Sequence, residues 1–394
     1  MTNLFELPNE LRELLERAES LAKGELSEIA ARGRPGEVDR DLLQALARHD
    51  LLPRAFPSSA GGSHQGDVSA LELCVLREGL ARGCAPAETA LALQGLGSYP
   101  ILQSGNAEQV ARWIPDVAAG RAIAAFALTE PGAGTDAAAL SLRAEPEGQG
   151  WRLSGEKKWI SNAPEADLYT VFARTTEGTG ARGVSAFVVQ GDAEGLSGER
   201  LDLVAPHPIG TLVFDGVHVG REALLGELDE GFKVAMRTLD LFRPSVGAFA
   251  VGMAQAALDA AVAHAGRREA FGQELRRFQA VSQQLADMAT EVQAARLLVY
   301  SAASRHDEAS AEKERGGLAR TARTERVTKH SAMAKLFATE AAQRVIDAAI
   351  QIHGAVALEK GHLLEELYRD VRATRIYEGT SEIQREIITR ELYR

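Results

Sequence analysis

The stretch Phe126-Ala-Leu-Thr-Glu-Pro-Gly-Ala-Gly-Thr-Asp136 marks the point where the sequence changes from helical to extended in character. Pro131, Gly132 and Gly134 predict a tight turn that follows a strand. Taken alone, this pattern indicates a plain loop, but glycines also let backbone N–H groups approach a planar or anionic ligand closely. The stretch therefore predicts the start of a β-rich region and a candidate binding loop.

The sequence on either side of this loop is helical at both ends of the chain and extended in the middle. Upstream, apolar residues recur at helical spacing, as they do over residues 11–22. Downstream, β-branched or apolar runs alternate with Gly-rich turns, and Trp151–Ile160 predicts a hairpin that turns at Ser154-Gly155. From Gly231 onward the helical spacing returns.

This order of elements predicts a helical domain over residues 1–121, an antiparallel β-domain over 122–229 and a second helical domain over 230–394. Segregated helices and strands disfavour a doubly wound α/β sheet, and no GxGxxG motif opens a βαβ unit. Arg305–Lys329 is rich in charged and small polar residues, with Gly316-Gly317 at its centre. We expect this segment to be a solvated surface loop between two helices.

Charge and composition exclude several classes of protein. The 394 residues include 44 Lys and Arg and 55 Asp and Glu, for a formal net charge of −11. Nucleic acids and anionic membranes need a concentrated positive field, so neither is an expected partner. Cys74 and Cys84 cannot build a disulfide framework, and the histidines show no metal-ligand spacing. With no signal peptide and no apolar run of about 20 residues in sight, a cytoplasmic protein without a metal is expected.

Two further segments contain residue types that suit a cofactor site. Trp159-Ile-Ser161-Asn162 places an indole beside a hydroxyl group at the end of a strand, although plain core packing is the alternative. His264 to Gly272 contains the pair Arg267-Arg268. Paired arginines are either a solvated helix face or a bidentate clamp for a pyrophosphate.

The last segment is Ile376-Tyr-Glu-Gly-Thr-Ser381, near the C-terminus. An N-cap at Thr380 or Ser381 would by itself explain part of this segment. Glu378 stands just before that cap, between an aromatic ring and a glycine. An apolar, partly buried setting disfavours the charged carboxylate and raises its pKa, which suits a general base.

Taken together and in this order, the four segments resemble the acyl-CoA dehydrogenase family. The resemblance covers nearly the whole chain and includes Gln109 upstream and Gly231-Phe-Lys233 downstream. It implies a mostly α-helical protein, with an N-terminal helical domain, an antiparallel β-barrel-like middle domain and a C-terminal four-helix bundle. It also implies FAD held between the domains, partly across a subunit interface of a homotetramer, with a dimer as the alternative.

The resemblance implies that the protein oxidises the Cα–Cβ bond of an acyl-CoA thioester to a trans-2-enoyl-CoA, as in fatty acid β-oxidation. Electrons would then pass to an electron-transfer flavoprotein. Glu378 matches the catalytic base of the family, and its backbone N–H would donate to the thioester oxygen together with a ribityl hydroxyl of FAD. Some relatives carry the base immediately before an arginine that matches Arg243, but that position here is Phe242, which cannot act as a base.

The same resemblance implies the remaining contacts. Residues that match the flavin ring contacts and the start of the acyl-CoA site are Phe126, Leu128, Thr129, Thr135, Trp159 and Ser161. Arg268, Phe271 and Gln279 match contacts to the pyrophosphate and adenosine of a neighbouring subunit's FAD. Gln351 and Gly354 match the adenine-side segment, and Thr380 and Glu382 match the remaining nucleotide contacts. Residues that match the CoA and substrate contacts are Thr135, Asp240, Arg243 and Gly379.

Three stretches depart from the family pattern. Ala355 stands where the family usually has the second glycine of a pair, and Arg305–Lys329 looks longer than usual. Ala205-Pro-His-Pro-Ile-Gly-Thr211 replaces a stretch that usually contains Arg, Ser and Thr. The prolines put the usual acyl and CoA contacts in doubt there, and they favour an unusual acyl group, branched or alicyclic.

Several alternatives share the fold. An acyl-CoA oxidase is disfavoured by the length of 394 residues, and a flavin monooxygenase is disfavoured by Glu378. An enoyl-CoA reductase would use the same base and flavin in the reverse direction. A non-catalytic flavoprotein that binds DNA is disfavoured by the net charge of −11.

Overall fold

The structure is a computed structural model that describes residues 7–178, 180–314 and 320–393. The helices in this part of the chain are α1 (Asn9–Leu21), α2 (Ser27–Ala30), α3 (Arg40–Arg48), α4 (Ala70–Ala81), α5 (Ala85–Ser104), α6 (Ala107–Ala118), α7 (Gly231–Arg267), α8 (Gln279–Glu314), α9 (Arg320–His353), α10 (Leu363–Thr374) and α11 (Ser381–Leu392). A π-helical turn, Ala22–Leu26, joins α1 to α2. Short 3₁₀ turns lie at Pro53–Ala55, Ser58–Ala60, Ala137–Ala139, Arg221–Ala223, Leu275–Arg277 and Gly354–Leu358.

The strands of the main sheet lie between the helical regions. They are β1 (Ala124–Ala127), β2 (Arg143–Glu147), β3 (Gly150–Ser161), β4 (Leu168–Arg174), β5 (Val184–Gln190), β6 (Leu196–Ser197), β7 (Ile209–Gly220) and β8 (Leu224–Leu225). A separate hairpin, β9 (Glu269–Ala270) and β10 (Gln273–Glu274), lies between α7 and α8. The predicted order of helices, strands and helices is therefore confirmed.

The chain forms two compact units. Unit 1 comprises the described residues of Met1–Ser27, Ser69–Glu88 and Asp240–Arg394, and unit 2 comprises those of Glu28–Val68 and Thr89–Leu239.

Unit 1 is helical. The long helices α8 and α9 pack against each other, α10 and α11 pack on α9, and α1 packs on α4. Helix α7, which supplies unit 1 from Asp240 onward, is long and apolar enough to cross a membrane. However, 72% of its most apolar 18-residue window is buried within the protein, as expected of a helix in the core of a bundle.

Unit 2 contains the main sheet, whose strand order is β6-β7-β3-β2-β4-β5-β8, with β1 paired to β4. Neighbouring strands are mostly antiparallel, but β1 and β2 both pair with β4 in parallel. The side chains of β4 and β5 are almost all buried, which is typical of strands that are covered on both faces. In β3, buried positions recur only at intervals, so one of its faces is partly open.

The predicted hairpin at Ser154-Gly155 is wrong. β3 runs without a break from Gly150 to Ser161 and pairs along its length with β7. The pairing register shifts between Leu153 and Ser154, and Gly155 has a φ of +140°. A small residue followed by glycine suits a β-bulge as well as a turn, and here it forms the bulge.

The predicted loop over Arg305–Lys329 is also wrong for the described residues. Residues 305–314 continue α8, and residues 320–329 belong to α9. Gly316 and Gly317 lie outside the described residues. The segment is rich in Ala, Arg, Glu and Lys, which are strong helix formers, so its charge is compatible with the solvated side of long helices.

A buried ion pair holds the loop after β1. Glu130 and Lys157 are both buried, and the Lys157 Nζ donates to Glu130 Oε1 at 2.8 Å and to the Leu128 carbonyl at 2.9 Å. The Glu130 carboxylate also accepts from the backbone N–H groups of Ser141 and Leu142, at 2.6 and 2.9 Å. The carboxylate therefore joins both ends of the glycine-rich loop to β3.

Replacing Lys157 by methionine should destabilise unit 2, because Glu130 would stay buried without its cation. Loss of one partner of a buried pair costs about 3–5 kcal/mol of the free energy of unfolding. Urea unfolding of Lys157→Met against wild type measures this loss. Lys233→Met is the matched control, since the pair of Lys233 with Glu230 is exposed and should contribute below about 1 kcal/mol. Equal unfolding curves for the two variants would contradict the stabilising role of the Glu130–Lys157 pair.

Candidate functional site

Glu378 lies in a tight turn between α10 and α11 in unit 1, which we call the Glu378 turn (residues 375–380). Glu378 has a φ of +53° and Gly379 a φ of +92°, so two successive residues adopt the left-handed conformation. Thr380 then caps α11, since its side chain accepts from the Ile383 N–H at 3.4 Å. The predicted N-cap at this position is confirmed.

Buried side chains from three helices hold the carbonyl groups of the Glu378 turn. The Lys335 Nζ donates to the Gly379 carbonyl at 2.7 Å. The Gln384 Nε2 donates to the carbonyls of Glu378 and Gly379 at 3.1 and 3.0 Å, and the Arg243 Nε donates to that of Glu378 at 3.5 Å. Lys335, Gln384 and Arg243 are all buried, so these bonds lie away from water.

One carboxylate oxygen of Glu378 accepts no hydrogen bond from the described residues. This oxygen, Oε2, is buried. Burial raises the pKa of Glu378, while Arg77, Lys335 and Arg243 act in the opposite direction, in that order. The predicted direction of the pKa shift is confirmed, and a buried carboxylate with a free oxygen is suited to accept a proton.

Two of these cations, Arg77 and Lys335, were missed by the sequence analysis. Each lies in an apolar helical run, and burial in the protein is what makes them significant. Arg77 pairs with the buried Glu88 and donates through its Nη1 to the Ser245 Oγ at 2.6 Å. A charged residue inside an apolar helical run was the signal that could have identified both of them.

Asp240 and Arg243, the predicted substrate contacts, lie one turn apart on α7. The Arg243 Nη1 donates to Asp240 Oδ1 at 2.8 Å, and the other oxygen of Asp240 accepts from Thr328 Oγ1 at 3.0 Å. The structure thus brings Asp240 and Arg243 to the Glu378 turn, which includes Gly379, whereas Thr135, the fourth predicted substrate contact, belongs to unit 2.

In unit 2 the predicted flavin residues of β1 and of the loop after it lie beside β3. The Lys158 N–H donates to the Thr129 carbonyl at 3.0 Å, directly before Trp159. Phe126 lies in β1, Leu128 and Thr129 follow the end of this strand, and Phe126 packs against Phe172 with ring centroids 4.9 Å apart. Thr135 lies further along the loop and is exposed.

Trp159 occupies a second bulge of β3. The register shifts between Lys158 and Ile160, and Trp159 has a φ of +58° with 46% of its surface exposed. Two residues later, Ser161 Oγ lies 2.8 Å from the Nε2 of His207. The bulge therefore presents an indole face and a hydroxyl group near the same end of the strand.

The predicted nucleotide contacts lie at a different part of unit 1. Arg268 and Phe271 are exposed near the β9–β10 hairpin, where Phe271 is 97% exposed with a φ of +51°. The ring of His264 stacks on that of His353 at 4.1 Å, which brings the end of α7 to the end of α9. Gln351 and Gly354, at the end of α9, are exposed there, as are Gln279 at the start of α8 and Glu382 at the start of α11.

Backbone strain singles out three of the predicted residues. Among the described residues, those with positive φ that are neither Gly, Asn nor Asp are Trp159, Phe271 and Glu378. Bulky residues rarely adopt this conformation, and it tends to persist at ligand and active sites. Trp159 and Glu378 were singled out from their sequence segments, and Phe271 through the family resemblance.

These features fit FAD. An exposed indole provides a stacking face for a planar ring, and an exposed arginine provides the geometry for a pyrophosphate. Among the residues that the structure describes, no cluster of three or more His, Cys, Asp or Glu side chains is placed to hold a metal ion.

Family models and known proteins match nearly the whole chain. Family models for the acyl-CoA dehydrogenase N-terminal, middle and C-terminal domains match residues 8–121, 125–217 and 229–393. Cyclohexane-1-carbonyl-CoA dehydrogenase of Geobacter metallireducens is 35% identical over 393 residues, which cover 99% of each chain. The human mitochondrial short-chain specific acyl-CoA dehydrogenase is 38% identical over 399 residues, which cover 99% of this chain and 91% of that protein.

A further relative is the caffeyl-CoA reductase-Etf complex subunit CarC of Acetobacterium woodii, which is 36% identical over 362 residues and 90% of each chain. Among solved structures, butyryl-CoA dehydrogenase from Megasphaera elsdenii superposes with a TM-score of 0.89 at 33% identity, over 99% of this chain and 100% of that one. A chain in a structure of the electron transferring flavoprotein of Acidaminococcus fermentans gives a TM-score of 0.88 at 33% identity, over 99% of both.

Replacing Lys335 by methionine removes a cation that lowers the pKa of Glu378, so we expect that pKa to rise. The Gly379 carbonyl keeps its bond from Gln384, which should preserve the turn. Infrared difference titration of the carboxyl C=O stretch, assigned with Glu378→Gln, measures the pKa. Lys329→Met, a partly exposed position on the same helix, is the control. A pKa that stays at or falls below the wild-type value in Lys335→Met would contradict the electrostatic role of Lys335.

Proposed function

The chain belongs to the acyl-CoA dehydrogenase family of FAD-dependent oxidoreductases, and we propose that it converts an acyl-CoA thioester to its trans-2-enoyl-CoA. The observation that carries this proposal is the Glu378 turn. A carboxylate with a buried, unpartnered oxygen stands on a left-handed backbone that buried side chains hold in place.

Glu378 is proposed as the base that removes the α-proton. The Cα–H bond breaks, its electron pair forms the Cα–Cβ double bond, and the proton moves to the carboxylate of Glu378. FAD, when bound, supplies the acceptor for the hydride that leaves Cβ. The backbone N–H of Glu378 would donate to the thioester oxygen and stabilise the negative charge that develops on it.

The charges around Glu378 support this role. A base must be ionised before it accepts a proton, yet burial disfavours the ionised carboxylate. Arg77, Lys335 and Arg243 oppose that effect and so limit the rise in the pKa of Glu378. The site can thus hold a carboxylate that is both ionised and poorly solvated, a state in which it is a stronger base than in water.

Cofactor binding is proposed for the residues that match the family motifs. In unit 2, Trp159 would pack on the flavin ring, Ser161 would hydrogen-bond to it, and Phe126, Leu128, Thr129 and Thr135 would complete the contacts. In unit 1, Arg268, Phe271 and Gln279 would contact the pyrophosphate and adenosine of a neighbouring subunit's FAD, and Gln351, Gly354, Thr380 and Glu382 would contact the remaining nucleotide groups. Support comes from the exposed indole of Trp159 and from the fully exposed ring of Phe271 beside Arg268.

The proposed partners are an electron-transfer flavoprotein and further copies of this chain. The similarity to CarC, a subunit of a reductase-Etf complex, supports the first partner. A homotetramer, with a dimer as the alternative, is supported by apolar side chains that lie open near the nucleotide contacts. Phe271 is 97% exposed, Leu358 69% and Val356 43%.

Reduction of an enoyl-CoA is a second candidate, because the chain is similar to a subunit named for caffeyl-CoA reductase. The same base would then return a proton to Cα. The equilibrium between flavin reduction by an acyl-CoA and flavin reoxidation by the matching enoyl-CoA shows which of these two reactions the bound flavin favours.

An acyl-CoA panel tests the proposed activity. Purified holoenzyme is mixed anaerobically with butyryl-CoA, longer straight-chain acyl-CoAs, a branched acyl-CoA and cyclohexane-1-carbonyl-CoA. Bleaching of the flavin absorbance by at least one of them is expected. Formation of hydrogen peroxide at the turnover rate in air would favour an oxidase instead, and no bleaching by any thioester would overturn the proposal.

Glu378→Gln should bind FAD normally but lose flavin bleaching by about 10²- to 10⁴-fold, the usual contribution of a general base. Stopped-flow absorbance with the best substrate from the panel measures the rate. Glu386→Gln, an exposed position on α11, makes the same chemical change without touching the site and should react at the wild-type rate. Bleaching in Glu378→Gln within about twofold of Glu386→Gln would exclude Glu378 as the base.

A further inference from the structure

His207 belongs to the proline-rich stretch that departs from the family pattern. Its imidazole Nε2 lies 2.8 Å from the Oγ of Ser161, the last residue of β3. Ser161 pairs with Ile209, the first residue of β7, so His207 stands two residues before this pair. The contact therefore joins a predicted flavin residue to a side chain that the motifs had not assigned to any role.

The backbone fixes His207 in this position. The Asn162 N–H donates to the Pro208 carbonyl at 2.7 Å, which ties the residue after Ser161 to the residue after His207. The Ile209 carbonyl, also in this stretch, accepts from the Leu201 N–H at 2.9 Å. The stretch is thus held by backbone bonds after His207, and two prolines restrict its backbone further.

The imidazole is neutral at physiological pH. His207 is partly buried, and this burial lowers its pKa to about 4. A neutral ring has two tautomers, and each fixes the hydroxyl of Ser161 differently. If Nε2 carries the hydrogen, it donates to Oγ, and the hydroxyl hydrogen is free to donate to a ligand. If Nδ1 carries it, the hydroxyl donates to Nε2, and Oγ can only accept.

We propose that His207 is a positioning residue of the flavin site, which acts by holding the Ser161 hydroxyl in the orientation that meets the isoalloxazine. This inference rests on the proposed function, since it takes Ser161 as a flavin contact. Ser161 stands two residues after the exposed Trp159, on the same bulged end of β3. His207 would therefore fix the direction of the Ser161 hydroxyl that hydrogen-bonds to the flavin, without contacting the flavin itself.

Double-mutant analysis of the holoenzyme tests the inference. Two properties are measured for Ser161→Ala, His207→Ala and the double variant. The first is the release of FAD on dilution, followed by flavin fluorescence, and the second is the visible spectrum of the bound flavin. Each single variant should speed the release of FAD by about three- to tenfold, as expected for one hydrogen bond, and should shift the flavin spectrum. The double variant should release FAD within about twofold of Ser161→Ala, because both changes remove the same interaction.

Two further variants separate positioning from structural support. His207→Gln places an amide nitrogen near the position of Nε2 and should restore FAD release to within about twofold of wild type. His218→Ala, an exposed histidine on β7, should leave release and spectrum unchanged. If His207→Ala fails to fold, His207→Phe replaces it: the ring fills a similar space without a hydrogen-bonding atom, so it should speed the release of FAD as Ser161→Ala does, and release at the wild-type rate would overturn the inference.

The inference fails if the spectrum and release of FAD stay at wild-type values in Ser161→Ala or His207→Ala, or if the effects of the two changes add. These outcomes leave the proposed function intact, provided that an acyl-CoA still bleaches the wild-type flavin. The proposed function fails separately if wild-type protein holds FAD but no thioester bleaches it.

Discussion

The candidate site depends on one constraint, the left-handed backbone at Glu378 and Gly379, whose carbonyl groups are held by buried side chains. A left-handed backbone at glutamate is unfavourable, so it persists only where the surroundings hold it. Lys335, Gln384 and Arg243 provide that support from three helices through bonds to these two carbonyls. Since Lys335 and Arg243 also counter the effect of burial on the carboxylate, the backbone geometry and the pKa of Glu378 are linked.

Buried charge has a second role in unit 2. The Glu130 carboxylate holds the two ends of the glycine-rich loop, and Lys157 links that carboxylate to β3 and to the Leu128 carbonyl. Leu128 and Thr129, which follow β1, therefore have a fixed position beside Trp159. Both units place a buried lysine next to the segment that carries the predicted function, and in both the lysine binds a backbone carbonyl.

Much of the site could be predicted from the sequence, because its residues fall in short motifs. Trp159 and Glu378 were selected in this way, and Phe271 through the family resemblance. The left-handed backbone that the three residues share was found only in the structure. Lys335 and Arg77 were missed, since periodicity treats a residue in an apolar helical run as core and does not reveal what a buried charge faces.

The incorrect predictions have similar causes. Ser154-Gly155 was predicted as a turn, but a small residue followed by glycine also fits a bulge, and only the pairing partner decides between them. Residues 305–314 and 320–329 were predicted as loop from their charge, although Ala, Arg, Glu and Lys also favour helix. The contact of His207 with Ser161 joins residues 46 positions apart, so no local pattern could reveal it.

The central claim is that the Glu378 carboxylate takes the α-proton. Hydrogen exchange at Cα tests it most directly, with a 3-thiaacyl-CoA that has no hydride to transfer from the β-position. The bound analogue is incubated in D₂O, and mass spectrometry measures incorporation of deuterium at Cα. The account predicts exchange in the wild-type holoenzyme and almost none in Glu378→Gln. Exchange at the wild-type rate in Glu378→Gln would contradict it.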